Sequence, residues 1–507
     1  MSDQATPAAG NADLFAILRG AMQAVHKTVG LDVRNQHPKT HGVVRATFEV
    51  ADLPESYAVG LFAQPQCFPA WIRFSNGRER DDDRKPDVHG MAIKILGVPG
   101  GEGSTQDIVL ADNPTFFARD AQHFLQFLAM KKAAGEAVAA APDERKADVG
   151  AEFQAKIGKE FPGLGSFFNV VHSPLTETYH SQTVYRFGDR QVKYYARPVE
   201  SGEEVSPIAS ETGLRDAITT KLASGPVQFE FGIEVQTDPT TMPDDDATVE
   251  WNSPEKMIVA TLTIPPQEFH SDSHQAFGEA LSFTPWHALP EHAPVGSLNQ
   301  ARQDAYIDSS RTRHETVDTP EVEPDVEHFN TSVLTAFFES FVQGDYRRMQ
   351  ACLHPDVEFT DIGFDIHHRE VNAMWHMIAA KGVQVSFGEI KVTGQTATAH
   401  WECDYQFQRT PDSKVRDVHN VIESKFRFDG GLIREQHDSC DFWEWFEQAM
   451  GPIGDVAHLF DRLEGFVESV LKRDVPIDVE DRTRAKVRET ARGRLEAFIG
   501  DHPEYTS

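Results

Sequence analysis

Apolar and polar residues alternate along several short runs in the first 312 residues. The runs GVVRATFEV (residues 42–50), AWIRFSN (70–76), HGMAIKILGV (89–98), RQVKYYARP (190–198), VQFEFGIEVQT (227–237) and MIVATLTI (257–264) are strand-like, and the two-residue period is clear in several. Turn residues separate them, so an antiparallel sheet or barrel is expected. Helical spacing breaks in over residues 14–25, 121–134 and 301–313.

The pattern then changes. Residues 315–327 (ETVDTPEVEPDVE) are acidic, contain two prolines and lack aromatics, as a linker does. Beyond it the spacing predicts helices over 332–343 and 346–353, then strands over 383–394, 396–407, 418–431 and 432–445. Asp429, Gly430 and Gly431 give the last two strands a hairpin turn. This second part reads as a small α+β domain with a curved antiparallel sheet. Two amphipathic helices are expected in the tail, over 456–472 and 482–499, split by Pro476 and packing on the second domain or a second subunit. The expected boundaries are 1–314, a linker at 315–327, a second domain at 328–450 and a helical tail at 451–507.

Composition narrows the partners. The chain has 507 residues, enough for two to four domains, and 34 Phe against nine Tyr suggest apolar pockets or well-filled barrels. With 48 Lys+Arg against 79 Asp+Glu, the formal charge of −31 opposes nucleic acid or an anionic membrane as partner. Cys67, Cys352, Cys403 and Cys440 lie far apart and form no CxxC pair, which argues against a disulfide framework and for a reducing compartment. No run approaches the length of a membrane span, and the first residues do not read as a signal peptide. A cytoplasmic protein is expected.

The densest chemistry lies in QARQDAYIDSSRTRHE (300–315). On a helix, four residues place the Arg302 guanidinium beside the Tyr306 phenol. A free tyrosine has a pKa of roughly 10, and a close cation favours the phenolate. Lowering that value by about three units takes roughly 4 kcal/mol of differential stabilisation. Tyrosine is also one of the few axial ligands of haem iron. Alone, the four-residue spacing fits an ordinary helix equally well.

The segments upstream supply the context. RNQHPKTHGVVRATFEV, AWIRFSN, DVHGMAIKILGVPG, TQDIVLADNPTFFARD and RQDAYIDSSRTR, in that order, resemble the catalase superfamily, specifically its small catalase-related haem proteins. The resemblance implies an antiparallel β-barrel holding haem b, and hence iron, between a distal His side and a proximal Tyr helix. It implies Tyr306 as axial ligand with Arg302 as its charge partner. Arg73 would pair a haem propionate, Ser75 would hydrogen-bond the distal histidine, Asn113 would orient peroxide, and Phe117 and Phe124 would lie near the haem. Two histidines compete for the distal place. His37 has the RxxHxK spacing of large catalases, whereas Thr40-His41-Gly42 resembles the catalase-related peroxide isomerases; its spacing to Asn113 favours His41. The stretch from Asn113 to Phe116 is shorter than the large catalases have.

Residues 328–450 resemble the NTF2-like (SnoaL-like) α+β cone, and Asp361, His376, Asp404, Tyr405, His419 and Asp438 are its inward-pointing candidates. His437 beside Asp438 lacks a three-ligand set for a metal. The function implied is haem-dependent breakdown of hydrogen peroxide or an organic hydroperoxide. The alternatives are a fatty-acid hydroperoxide isomerase or peroxygenase, and a haem-binding protein without turnover. Family resemblance also suggests a homo-oligomer.

Overall fold

The computed structural model describes residues 9–29, 32, 34–78, 80, 82–100, 104–200, 206–409, 412–451 and 477–506. The chain forms two compact units, Met1–Asp325 and Val326–Ser507.

In the first unit the strands are β1 (Lys39–Val50), β2 (Cys67–Asn76), β3 (His89–Leu96), β4 (Thr105–Ala111), β5 (Tyr179–His180), β6 (Tyr185–Phe187), β7 (Arg190–Pro198), β8 (Val227–Val235) and β9 (Lys256–Ile264). Their order is β5-β4-β3-β2-β1-β9-β8-β7-β6, and β5 pairs with β7 as well as β4. Among the described residues, eight strands therefore close into an antiparallel ring, with β6 flanking β7. Closure leaves those eight strands without an open edge. The two-residue period points Val44, Ala46 and Phe48 of β1, Ile72 and Phe74 of β2, and Phe229, Phe231 and Ile233 of β8 into one buried core. The phenylalanines fill it ring against ring, Phe48 and Phe231 with centroids 5.3 Å apart, Phe62 and Phe187 5.1 Å apart.

Helices α1 (Ala9–Val29), α2 (Ala121–Ala140), α3 (Lys146–Glu160), α4 (Gly213–Ser224), α5 (Asp272–Ala280) and α6 (Ser297–Val317) accompany the barrel. The start of α6 is fixed by Asp245, whose carboxylate accepts from the Ser297 backbone N–H and hydroxyl, both at 2.7 Å. The acidic stretch expected to link the units is partly claimed by the first. Helix α6 runs on to Val317, Val322 bridges Leu281, and Glu323 reaches the Lys94 ammonium at 3.0 Å. Lys94 is fully buried, so its charge requires partners there, and Asp107 is the second.

The second unit begins with α7 (Val326–Val342) and α8 (Tyr346–Gln350), followed by β10 (Leu353–Thr360), β11 (Asp365–His367) and α9 (Arg369–Ala379). Then come β12 (Gln384–Thr393), β13 (Thr396–Phe407), β14 (Arg416–Asp429), β15 (Leu432–Ser439), α10 (Phe442–Met450) and α11 (Ile477–Asp501). Six strands form one sheet in the order β11-β10-β15-β14-β13-β12, parallel only between β10 and β15. Phe337, Phe341, Trp375 and Trp401 pack edge to face between α7, α9 and the sheet. Gly430 and Gly431 both take positive φ in the turn between β14 and β15. The helix expected over 456–472 lies outside the described residues.

Candidate functional site

A cavity with about 730 Å³ of empty space, its open mouth included, lies between the barrel wall and α6. His37, Arg73, Ser75, Gly90 and Val109 line it from the barrel side, and Ala305, Tyr306, Ser309 and Arg313 from the helix. On β2 the alternation that sends Ile72 and Phe74 inward presents Arg73 and Ser75 to this cavity.

His37 precedes β1 with a left-handed backbone (φ 56°). That conformation is held from two sides. Its N–H donates to the Gly77 carbonyl at 3.0 Å, and the Arg73 guanidinium donates to its carbonyl at 2.9 Å. Its Nδ1 lies 3.1 Å from the Ser75 hydroxyl. The ring has room because residue 90 is glycine: a Cβ there would sit 2.6 Å from the imidazole and 3.0 Å from Ser75 Oγ. Burial, and then the charge of Arg73, push the His37 pKa down to about 3, so the imidazole is neutral across the physiological range.

On α6, which carries Tyr306 to the other side of the cavity, the Arg302 guanidinium carbon lies 5.7 Å from the centroid of the Tyr306 ring. Arg302 is anchored by Asn299, whose side-chain oxygen accepts from it at 3.2 Å and whose amide donates to the Val184 and Val295 carbonyls. Burial opposes the Arg302 charge, but the neighbouring Tyr306 and Tyr185 outweigh it and raise its pKa.

Three guanidiniums face the same space: Arg34, Arg73 and Arg313. Glu279 answers them in part, 2.5 Å from Arg34, and Thr40 donates to it at 2.7 Å. Burial alone would raise the Glu279 pKa; Arg34 and Arg73 override it and hold the carboxyl at about 2. Burial and then the Arg34 charge lower Arg73 and Arg313, the latter to about 10. The buried Nε atoms of Arg73 and Arg313 have no hydrogen-bond partner. The wall carries positive charge in excess and is suited to an anion.

His41, expected at the distal place, does not line this cavity. Pairing of β1 with β2 slips between Thr40 and Gly42, leaving His41 in a bulge. Its side chain is buried away from the cavity, with Nε2 2.8 Å from Asn76 Oδ1, while Asp83 binds Lys39 and Asn76 beside it. Asn113 is likewise absent from the cavity lining. Its amide donates to the Phe167 carbonyl at 3.0 Å and to Asp112 at 3.2 Å. Phe117 and Phe124 belong to a separate aromatic cluster with Phe116, Phe127 and Phe161. Sequence reading missed Arg34 and Gly90 as cavity residues, although both stand in segments it singled out.

Residues 27–146 match the catalase family model, and residues 334–436 match that of the SnoaL-like domain. These two matches are consistent with a catalase-related domain fused to a SnoaL-like domain. A catalase-related peroxidase of Mycolicibacterium paratuberculosis (strain ATCC BAA-968 / K-10) is 27% identical over 225 residues, which are 41% of this chain and 67% of that protein. A bacterial catalase structure aligns with a TM-score of 0.45 and 18% identity over 62% of each chain. A fungal catalase solved at 1.9 Å aligns with a TM-score of 0.44 and 18% identity, over 57% of this chain and 61% of its own. The chain thus spans about three fifths of the length of those two catalases.

In the SnoaL-like unit the six inward candidates divide. Asp404 and His419 are exposed and pair with each other at 3.0 Å on the outer face of the sheet. His376 packs on α9 against Tyr346 and the chain's C-terminal turn. Asp361, Tyr405 and Asp438 do come together, with Cys403 and Cys440 near them. Burial raises the Asp361 pKa to about 6 and that of Asp438 to about 7. Asp438 accepts from the Ser424 hydroxyl at 2.5 Å and from Gln436 at 3.0 Å.

Proposed function

We propose that the catalase-related unit is a haem-dependent oxidoreductase acting on peroxide. The observation that supports it is one cavity with His37 and Ser75 on its barrel side and Tyr306, with Arg302 beside its ring, on its helix side. The residues present fit haem b. Tyr306 is a competent axial ligand, and the Arg302 guanidinium lies beside its ring. Arg34, Arg73 and Arg313, with two orphaned Nε atoms among them, suit the carboxylates of the cofactor. Bound there, the haem iron would supply the redox chemistry with peroxide that no side chain offers.

The protein's own part is proton handling and orientation. With Nδ1–H donated to Ser75, the His37 Nε2 is left to take a proton from peroxide and return it to the leaving oxygen. Its neutral form at physiological pH is the form that role needs. The isomerase alternative leaned on the Thr40–His41 pair. Thr40 instead hydrogen-bonds Glu279 and Arg73, and His41 lies off the cavity, so neither supports it.

Oxygen release from hydrogen peroxide by the purified protein, at rates far above free haem, is the expected result. His37→Ala should lower turnover by about a hundredfold or more, the scale of general acid–base catalysis, while His41→Ala should retain it. Tyr306→Phe, reconstituted with haem, should lose the phenolate-to-iron absorption. An unchanged spectrum for Tyr306→Phe, or equal losses for the two histidines, overturns the assignment. Haem binding without any peroxide turnover would leave a binding protein. Cytoplasmic residence and a homo-oligomer remain part of this reading; among the described residues no helix is long and apolar enough to cross a membrane.

A further inference from the structure

Away from the haem cavity, the SnoaL-like unit gathers a second set of ligand-type side chains. His376 lies on α9, whereas His502 and Glu504 follow α11 at the end of the chain. One ligand atom from each lies within 4.8 Å of the others. The two histidines are already oriented. His502 Nδ1 lies 2.8 Å from the Phe498 carbonyl, which can only accept, so Nδ1 carries the proton and Nε2 keeps its lone pair. His376 Nδ1 lies 3.1 Å from the Tyr505 hydroxyl, whose oxygen accepts from Gln350 at 2.9 Å. Tyr346 stacks on the His376 ring at 3.5 Å, and Phe498 on the His502 ring at 3.9 Å.

We propose that His376, His502 and Glu504 bind a divalent transition-metal ion of the zinc class, cross-linking α11 to α9. Two imidazoles and one carboxylate suit zinc, nickel or copper; magnesium and calcium prefer oxygen ligands alone. Histidine ligands typically bond through one nitrogen while the other donates to a carbonyl or hydroxyl, the arrangement found at His502. Glu504 is exposed, so the ion has a route in from solvent and a position for water as fourth ligand. Zinc–nitrogen bonds of about 2.0–2.1 Å put tetrahedral ligands about 3.3 Å apart, so donors within 4.8 Å of one another need draw in by no more than about 1.5 Å, and the exposed Glu504 has freedom to move. The likeness to known proteins plays no part in this site, and its success or failure leaves the haem reading untouched.

The test uses the untagged full-length protein, freed of divalent metal by chelation, with zinc titrated against a chromophoric chelator. About one zinc per chain is expected, with magnesium unable to displace it. The double variant His376→Gln/His502→Gln should lose that binding, and Glu504→Gln should weaken it about tenfold or more. Because the double variant could loosen α11 by itself, hydrogen exchange over residues 477–506 provides a second readout. Zinc should slow exchange there in the native chain and not in Glu504→Gln, whose metal-free exchange should match the native chain. Zinc retained in the double variant (for example at the exposed His400 and Glu402), displacement by magnesium, or exchange over 477–506 indifferent to zinc would each overturn the proposal.

Discussion

Gly90 shows how much one missing Cβ decides. The His37 ring and the Ser75 hydroxyl occupy the space a methyl group would take, 2.6 Å and 3.0 Å from it. Neither is the free end of a flexible chain: His37 is tied at its N–H, its carbonyl and its Nδ1. Gly90→Ala should therefore displace the imidazole and cut peroxide turnover at least about tenfold, with the barrel still folded by circular dichroism. Native turnover in that variant would mean His37 is not held where proton transfer needs it. At the same scale, Arg73 is buried, donates to the His37 carbonyl, and retains an unpartnered Nε.

At the scale of elements, β1 and β15 carry the consequences of their registers. The slip between Thr40 and Gly42 separates two histidines only four positions apart, one to the cavity and one to a buried polar network. On β15 the strand alternation buries Asp438 beneath Ser424 and Gln436. Its pKa of about 7 lies above the 3.8 of an unperturbed Asp, so the stability linked to its proton is present below that value and is lost as pH rises through 7. Asp438→Asn removes the ionisation and should raise the melting temperature of the SnoaL-like unit at pH 8, by an effect on the order of a few kcal/mol. A lower melting temperature at pH 8 than the native chain would show that the charged form is well satisfied. The strands themselves were legible because their alternation survives in sequence. The bulge was not, since Thr40-His41-Gly42 has no local signal that one residue will be left unpaired.

Across the whole molecule these buried groups should make the two units respond to acid in opposite senses. In the barrel unit burial leads in lowering His37 and His41 to about 3 and His180 and His292 to about 4. These depressed values give stability that is present above the unperturbed histidine value of about 6.5 and lost as pH falls toward 4. In the SnoaL-like unit Asp361 at about 6 and Asp438 at about 7 give stability that fades as pH rises. Hydrogen-exchange protection, corrected for intrinsic rates, should thus fall over residues 39–111 between pH 7.5 and pH 5. Over residues 353–439 it should increase across the same interval. Protection moving in the same direction in both units would contradict the assignment of these buried groups.

The sequence by itself determined the two-part architecture, the barrel strands, the Arg302–Tyr306 helix and the catalase-related and SnoaL-like resemblances, because periodicity and ordered motifs are local properties of a chain. It could not decide which histidine faces Tyr306. That choice depends on a register slip, on the absent side chain at Gly90 and on the Arg73 contact, which bring together residues from three segments. Nor could it join His376 to His502 and Glu504, whose approach exists only once α11 lies against α9. Such juxtapositions are properties of packing, where a single pairing slip changes the neighbour of every charge nearby.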